Sequence, residues 1–317
     1  MDWERQHRLL TEEIQALVSS LPTCGDLSAL IREPLTKTKR GLAQESDCAS
    51  PWPLLPLMVC EVISGTFEQA LPAAASLQFL MAAGDVFDDI EDADSSDALA
   101  AKYGASLATS AATTLLILAE KAIVRLKLRG VDDAVTVRVM NAVNSAYLTA
   151  CAGQHLDLTH GAKLKIAEEE YVNIAGMKSA VQIECACRVG ALLSATDENV
   201  VEAFARFGYN LGMAAQIAND IDGVVKGADI LKHNITLPVI FALANTSSDD
   251  YTRLSSAFGN ESGPTVNAAQ IRDLLFRCGA VHYATVKMEI YRQTAADILS
   301  RMEIDGVNVK PLKVFLQ

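Results

Sequence analysis

The sequence predicts an all-α protein, a bundle of about ten to twelve helices that forms one domain over residues 1–317. Nearly every segment repeats its apolar residues with a period of about 3.6, and almost none alternates with a period of two. Alanine and leucine dominate while glycine and proline are few, which favours tightly packed helices. No long repeat and no shift in composition marks a boundary between domains.

Each helix is predicted from its apolar face and from the turn residues that bound it. Breaks fall at Gly65, at Gly130 and in the polar run 245–251, and we expect surface loops at 37–50 and 255–263. Ser179 marks either a boundary between two helices or a kink within one longer helix. The predicted helices are 3–20, 54–63, 71–88, 104–126, 132–153, 167–177, 179–193, 198–222, 236–243, 266–278 and 280–302.

The charge balance excludes some classes of partner. A formal net charge of −12 argues against nucleic acid, because phosphate binding needs clustered Lys and Arg, and it disfavours an anionic membrane surface. The N-terminus carries no signal-peptide core, and the apolar stretches 54–65 and 105–119 are shorter than the roughly 18 residues of a spanning helix. The seven cysteines lack paired CxxC spacing, which indicates free thiols. We therefore expect a cytoplasmic protein without a membrane span.

The first candidate site is the acidic run 85–97, DVFDDIEDADSSD. Positions three and four apart share a helix face, so Asp88, Asp89 and Asp92 can point the same way. Converging carboxylates repel each other unless a cation lies between them, and Mg²⁺ prefers such oxygen ligands. The alternative is a solvated helix end, but Phe87 and Ile90 make the surroundings partly apolar.

A second, weaker acidic motif lies at Asn219 and Asp220, where polar groups follow the small apolar run 211–218. Gln216 is one helical turn before Asp220, and both Asp220 and the Asn219 carbonyl oxygen are possible Mg²⁺ ligands. A helix cap or a solvated helix end is the alternative for this pair.

Two further polar insertions, Gln154 with Asp157 and the lone Lys178, interrupt apolar helical stretches. Lys178 is suited to neutralise a diphosphate beside a metal ion, and the alternative is a lysine whose charged end reaches solvent.

The segments DDIED, GQHLD, MKSA and GMAAQIANDIDG…TLPVIFAL, in this order and spacing, resemble the trans-isoprenyl diphosphate synthase superfamily over residues 53–243. The resemblance implies a single-domain isoprenoid-synthase bundle in which two acidic motifs face each other across a central cavity, and it implies a homodimer. It also implies about three Mg²⁺ ions and an allylic isoprenyl diphosphate substrate. By the same likeness, the residues that bind metal or diphosphate are Asp88, Asp89, Asp92, Asn219, Asp220, Lys178 and Gln216, and Gln154 fits the same pocket.

Departures from the family pattern concern the second substrate. Chain-elongating members bind isopentenyl diphosphate with a Gly-Lys-Arg segment, a His and an Arg-Arg-Gly. In this chain the Gly-Lys-Arg position is occupied by CASPWP at 48–53, the His position by Met81 and the Arg-Arg-Gly position by SSD at 95–97. The second motif ends in Gly223 instead of Asp, and Asp222 or Asp229 could supply the missing carboxylate. Its Asn-Asp start is closer to class I terpene synthases.

We therefore expect Mg²⁺-dependent ionisation of an allylic diphosphate, with the carbocation cyclised or quenched by a class I terpene synthase. Asp88, Asp89 and Lys178 would be the catalytic residues, and Phe87 and Met81 would line the substrate cavity. One alternative is a prenyltransferase, which either elongates chains with bases from 37–40 or prenylates an acceptor without diphosphate. The other alternative is a non-catalytic regulatory subunit of a prenyl synthase.

Overall fold

The computed structural model describes residues 2–22, 26–37, 51–92, 98–160, 164, 166–259 and 267–317. Within these ranges the chain forms fifteen α-helices and no β-strand, which confirms the all-α class. Each predicted helix is present, and α2, α5, α11 and α13 are additional. The α-helices are α1 (Trp3–Val18), α2 (Leu27–Lys37), α3 (Leu55–Ser64), α4 (Leu71–Asp92), α5 (Leu99–Tyr103), α6 (Ala105–Val124), α7 (Asp133–His160), α8 (Glu168–Ala175), α9 (Val181–Leu192), α10 (Glu198–Lys226), α11 (Ala228–Lys232), α12 (Leu237–Asn245), α13 (Ser248–Phe258), α14 (Ala268–Arg277) and α15 (Ala280–Ile304).

The surface loop predicted at 255–263 is wrong over its first part, because α13 continues to Phe258. The hydroxyl of Ser247 accepts the Asp250 N–H and caps the helix, while Leu254 and Phe258 are buried. The first residues of α13 are polar and resemble a turn, so the sequence pattern did not predict this helix. Residues 260–266 and most of the loop predicted at 37–50 lie outside the described residues.

The described chain divides into two compact units. The first unit comprises Met1–Val143, Ala186–Phe204 and Gly306–Phe315, and the second comprises Asn144–Cys185, Ala205–Asp305 and Leu316–Gln317. Each is described by itself below. The single-domain organisation and the central cavity therefore stay predictions.

In the first unit, α4 contacts α1, α2, α3, α5 and α6, and every residue from Leu71 to Leu80 is buried. Small side chains let α4 and α6 pack closely, since Ala108, Ala111 and Ala112 on α6 have no exposed surface. Removing this apolar surface from water is the main contribution to the stability of the unit.

A buried carboxylate holds α1 in the first unit. Glu13 is only 4% exposed, and its two oxygens accept hydrogen bonds from Arg125 Nε at 2.6 Å and from Arg129 at 2.8 Å. An unpaired carboxylate in this position would be costly, so the two guanidinium groups compensate its burial.

Gly190 marks a close approach of α9 to α3 in the same unit. A Cβ atom at this position would lie 2.4 Å from the Pro56 carbonyl oxygen and 2.9 Å from Val59 Cβ. Glycine therefore permits the contact between the two helices.

The described part of the second unit contains two apolar clusters. One lies among α8, α10, α12 and α15 and includes Met213, Ile217, Leu237 and Ala284. The other joins the ends of α10 and α12 to α11, α13 and α14. The first cluster includes Tyr171 of α8 and packs beside the second acidic motif on α10.

Within the described ranges, two helical segments are long and apolar enough to cross a membrane by length and composition alone. They are Glu68–Glu91 and Ala105–Arg129, and the apolar 18-residue window within each is 72% and 44% buried, respectively. The expectation that no segment reaches this length is therefore corrected, because the helices extend beyond the apolar stretches considered. The core helix of a globular protein passes the same test, and the absence of a membrane span and the cytoplasmic location stay predictions.

No disulfide joins the cysteines within the described ranges, which are Cys60, Cys151, Cys185, Cys187 and Cys278. Three of them, Cys60, Cys185 and Cys187, are buried, in agreement with the expectation from their spacing.

Candidate active site

The first acidic motif lies on the last two turns of α4. The helix is buried up to Leu80, and beyond it Met81 is half-buried, Asp85 is exposed and Asp88 and Asp89 are half-buried. These positions are four, seven and eight residues after Met81, so they follow one face of the helix. The structure thus brings Met81 and the two carboxylates onto the same stripe, as the spacing predicts.

Phe87 and Ile90 hold this end of α4. Both side chains pack against a buried cluster that includes Val86 of α4 and Ala111 of α6. The partly apolar surroundings expected for the motif are therefore present. The predicted role of Phe87 in the wall of a substrate cavity stays a prediction.

The donor chemistry of this face fits Mg²⁺. Asp88 and Asp89 are adjacent carboxylates on a face that is open to solvent, and carboxylates with water are the usual ligands of this ion. The side chain of Asp92 lies outside the described residues, and among the described side chains no group of three or more His, Cys, Asp or Glu is arranged to hold a metal. The described part of the motif is therefore a pair of carboxylates, and their role as ligands stays a prediction.

Lys178 lies in a π-helical turn, Gly176–Ala180, that joins α8 to α9. The kink expected at Ser179 is this turn, and the helix continues through it. Its backbone comes close to α7, since a Cβ atom on Gly153 would lie 2.5 Å from the Lys178 nitrogen. Single π-turns inside helices are frequent at functional sites because they redirect a side chain.

The ammonium group of Lys178 forms an ion pair with Asp157 Oδ2 at 2.7 Å. The two side chains are 32% and 46% exposed, so the pair is accessible to a ligand. Gln154 lies one helical turn before Asp157 and is half-buried. The structure therefore brings Lys178 and Asp157 together in the second unit, as the sequence suggested, whereas a substrate contact of Gln154 stays a prediction.

Asp220 is far more buried than the sequence indicated, with an exposed fraction of only 4%. Its Oδ2 accepts hydrogen bonds from the Tyr171 hydroxyl and from the Leu237 N–H at 3.2 Å, and its Oδ1 accepts one from Gln216 Nε2 at 2.9 Å. Burial raises the pKa of Asp220 to about 6, while these hydrogen bonds act in the opposite direction.

These contacts give Asp220 protein partners on both oxygens, and Asn219, its neighbour, is exposed. The predicted roles of Asn219 and Asp220 as metal ligands and of Gln216 as a diphosphate ligand stay predictions. Sequence reasoning missed Tyr171, which is only 8% exposed. Its signal was its position two helical turns before Lys178 on an otherwise apolar face.

Residues 52–275 match the polyprenyl synthetase family model. The short chain isoprenyl diphosphate synthase of Methanothermobacter thermautotrophicus is 29% identical over 245 residues, which cover 73% of this chain and 74% of that protein. The geranylgeranyl diphosphate synthase of Sulfolobus acidocaldarius is 27% identical over 280 residues, with 83% and 84% covered. The tryptophan prenyltransferase ComQ of Bacillus subtilis is 28% identical over 242 residues, with 75% and 77% covered.

Solved structures show the same fold. Geranylgeranyl pyrophosphate synthetase from Pyrococcus horikoshii aligns with a TM-score of 0.81 at 24% identity over 95% of this chain and 93% of its own. The geranylgeranyl pyrophosphate synthase from Corynebacterium glutamicum, solved with isoprenyl diphosphate and magnesium, aligns with a TM-score of 0.77 at 21% identity over 94% and 92%. At these identities the likeness establishes the fold alone.

Proposed function

Because the chain belongs to the polyprenyl synthetase family, we propose that it transfers the prenyl group of an allylic isoprenyl diphosphate to an acceptor without a diphosphate. The observation that carries the proposal is the position of Asp88 and Asp89 on one face of α4, where they could bind the Mg²⁺ of one diphosphate. The sequence near this face lacks the basic residues with which chain-elongating family members bind a second diphosphate. Met81 and the acidic segment 93–97 occupy the corresponding positions. A dianionic acceptor would meet uncompensated negative charge there.

Relatives of both kinds support prenyl transfer. Isoprenyl diphosphate synthases and a tryptophan prenyltransferase resemble the chain to a similar degree, and none of the relatives described above is named as a terpene cyclase. The expected class I terpene synthase is therefore less well supported than the prenyltransferase alternative. An aromatic side chain, such as the indole ring of a peptide, is an acceptor that needs no basic site.

The residues of each unit would contribute separately to ionisation. Asp88 and Asp89, with Asp92 by analogy of spacing, would hold Mg²⁺, which when bound supplies positive charge to the diphosphate leaving group. In our proposal about three such ions take part, as the family resemblance implies. Lys178 would donate hydrogen bonds to the diphosphate, and its ion pair with Asp157 orients the ammonium group in the absence of substrate.

A product assay tests the acceptor. Purified protein with Mg²⁺ and allylic diphosphates of several chain lengths is incubated alone, with isopentenyl diphosphate, or with a tryptophan-containing peptide. We expect a prenylated peptide identified by its mass. An elongated diphosphate would refute the proposed acceptor, and a hydrocarbon or alcohol formed without any acceptor would restore the cyclase hypothesis.

Lys178 provides the matching test of ionisation. We expect Lys178→Ala to lower kcat by about a hundredfold or more, because a preorganised donor to the leaving group is lost. Lys226→Ala is the control, since that lysine is exposed and pairs with Asp222 at 2.7 Å. Equal activity of both variants would remove Lys178 from the catalytic residues. Asp88→Ala that leaves all activity and Mg²⁺ binding unchanged would instead point to the regulatory-subunit alternative.

A homodimer is part of the proposal, and an apolar stripe of the first unit supports it. Ile117 and Val124 are 64% and 60% exposed, and their spacing of seven residues places them on one face of α6. Leu128, which is 77% exposed, follows in the 3₁₀ turn after α6. A second copy of the chain would cover such a stripe. Light scattering should show a dimer, and Ile117→Glu with Val124→Glu should shift it to the monomer, whereas Ile304→Glu, at an exposed position on α15, should not.

A further inference from the structure

We infer that Tyr209 of α10 is a positioning residue for Lys178, because its hydroxyl group holds the π-turn that carries the lysine. The inference rests on the proposed function, in which Lys178 donates hydrogen bonds to the diphosphate. It concerns the second unit alone.

The π-turn is anchored at both ends. Ala175, which precedes the turn, and Ala180, its last residue, belong to the buried apolar cluster among α8, α10, α12 and α15. Between these two residues, positions 177–179 are half-buried, and here the Lys178 side chain reaches its ion pair with Asp157. The direction of the lysine therefore depends on the path that the backbone takes between the two anchored ends.

The Tyr209 hydroxyl lies against the first residue of this turn. A Cβ atom built on Gly176 would lie 2.7 Å from the hydroxyl oxygen of Tyr209 and 3.5 Å from its ring atoms Cε2 and Cζ. The hydroxyl thus fills the space in which a side chain at position 176 would begin, and Gly176 is buried. The ring of Tyr209 packs against the same apolar cluster that anchors the turn. Tyr209 therefore decides where the turn begins.

Two further glycines bring neighbouring helices against the turn. A Cβ atom on Gly153 of α7 would lie 2.5 Å from the backbone nitrogen of Lys178. One on Gly212 of α10 would lie 2.7 Å from Ala180 Cα. Gly212 is three residues after Tyr209, so one face of α10 contacts both the first and the last residue of the turn. Such close-packed surroundings transmit a displacement to the turn instead of absorbing it.

Hydrogen bonds from α9 complete the turn. The Val181 N–H donates to the Gly176 carbonyl oxygen, five residues back, which is the spacing of a π-helix. The side chain of Gln182 donates from Nε2 to the Lys178 carbonyl oxygen at 2.8 Å. These bonds define the shape of the turn, whereas the contact with Tyr209 sets its position relative to α10.

A displaced turn would misplace the ammonium group of Lys178. In the absence of substrate its Nζ lies 2.7 Å from Asp157 Oδ2, and a hydrogen bond to a diphosphate oxygen has a similarly narrow range of distances. Misplacement of a catalytic group by about 1 Å can lower a rate by about a hundredfold. A substitution that pushes Gly176 away from Tyr209 should therefore impair the site although it removes no group that binds substrate.

The test measures the affinity of the full chain for inorganic diphosphate with Mg²⁺ by calorimetry, and the melting temperature of each variant shows that it is folded. Gly176→Ala sets a methyl group against the Tyr209 hydroxyl and should weaken binding about fivefold or more. Tyr209→Phe alone leaves a gap and should weaken it about two- to fivefold. In the double variant the methyl group fills this gap at ordinary contact distance from the ring, so binding should return to within about twofold of the original protein.

A second cycle shows whether the contact acts through Lys178. In protein that already carries Lys178→Ala, Gly176→Ala should weaken binding by less than about twofold, because the group that it displaces is gone. A merely structural defect would weaken binding equally in both backgrounds, and this result would overturn the inference. Gly190→Ala is the packing control, since its Cβ would lie 2.4 Å from a backbone oxygen elsewhere on α9. It should leave the diphosphate affinity within about twofold.

Failure of the inference and failure of the proposed function give different results. If Lys178→Ala weakens diphosphate binding while Gly176→Ala does not, or if the double variant binds no better than Gly176→Ala, the function stands and the inference falls. If the pair of variants behaves as expected but no acceptor is prenylated, the acceptor chemistry is wrong and the inference stands. Unchanged binding by Lys178→Ala would refute the role of the lysine itself, and the inference with it.

Discussion

Removing the Tyr171 hydroxyl should destabilise the protein, and the loss should depend on pH. The hydroxyl donates to Asp220, and both side chains are buried, at 8% and 4% exposure. Tyr171→Phe keeps the ring and its packing and removes one donor from a carboxylate. A hydrogen bond to a charged group contributes about 1.5–3 kcal/mol, whereas one to a neutral group contributes about 1 kcal/mol.

The pH dependence follows from the raised pKa of Asp220. This pKa is about 6 in the folded protein and 3.8 in the unfolded chain, so the folded state binds the proton more tightly. The stabilisation by protonation is fully present below about pH 4 and is lost as the pH rises through about 6. The difference between these two pKa values corresponds to about 3 kcal/mol, so the original protein should be less stable at pH 8 than at pH 4 by this order through Asp220 alone.

The tyrosine hydrogen bond is among the interactions that lower the pKa of Asp220. In Tyr171→Phe this pKa should therefore be higher, and the pH range over which stability is lost should move upward. We expect the variant to lose about 2–3 kcal/mol at pH 8 and about 1 kcal/mol at pH 4.5, measured by urea unfolding with EDTA present. Tyr283→Phe is the control, since its hydroxyl donates to the part-exposed Glu168 at 2.5 Å. Equal losses for Tyr171→Phe at both pH values would refute the reasoning.

Two further predictions concern packing in the first unit, and both use unfolding free energies. Glu13→Ala should cost about 2–4 kcal/mol, because two guanidinium groups lose their buried partner, whereas Glu12→Ala, at a site 64% exposed, should cost less than about 0.5 kcal/mol. Similar values for the two would show that the Glu13 cluster contributes little. Gly190→Ala should cost about 1–3 kcal/mol through its clash with a backbone carbonyl, and Gly84→Ala, with nothing within 4 Å of the new Cβ, should stabilise α4 by about 0.5–1 kcal/mol. A neutral Gly190→Ala would show that α3 and α9 can separate at no cost.

The helices were predictable because each buries an apolar face that recurs along the chain. The long helices α4, α6, α10 and α15 show this clearly, and their positions agree with the prediction. Helix α13 was missed because its first turn is polar, and its helical state depends on a cap and on burial of Leu254. α7 extends beyond its predicted end at residue 153 to His160. Gly153 lies inside the helix because the backbone of Lys178 comes so close that a side chain at this position would clash with it.

The placement of the first acidic motif was also predictable, because Asp88 and Asp89 are three and four residues after Asp85, and the i, i+3, i+4 rule places these positions along one face of α4. The second motif was not, since its environment depends on residues far away in the chain. The contacts that decide the state of Asp220 come from Tyr171 on α8 and from the first turn of α12. No local pattern encodes such pairings, and burial changed the interpretation of Asp220 from an exposed ligand to a carboxylate with protein partners.

By itself, the sequence determined the all-α class, the first acidic stripe and the lone lysine. These features follow from periodicity, spacing and residue type, which are local properties. Tertiary structure decided which carboxylates are buried, that Lys178 pairs with Asp157 across a π-turn, and that Asp229 occupies the space above Gly223. The reason is that desolvation and close approach depend on atoms brought together by folding, and a single glycine can leave room for a carboxylate from another helix.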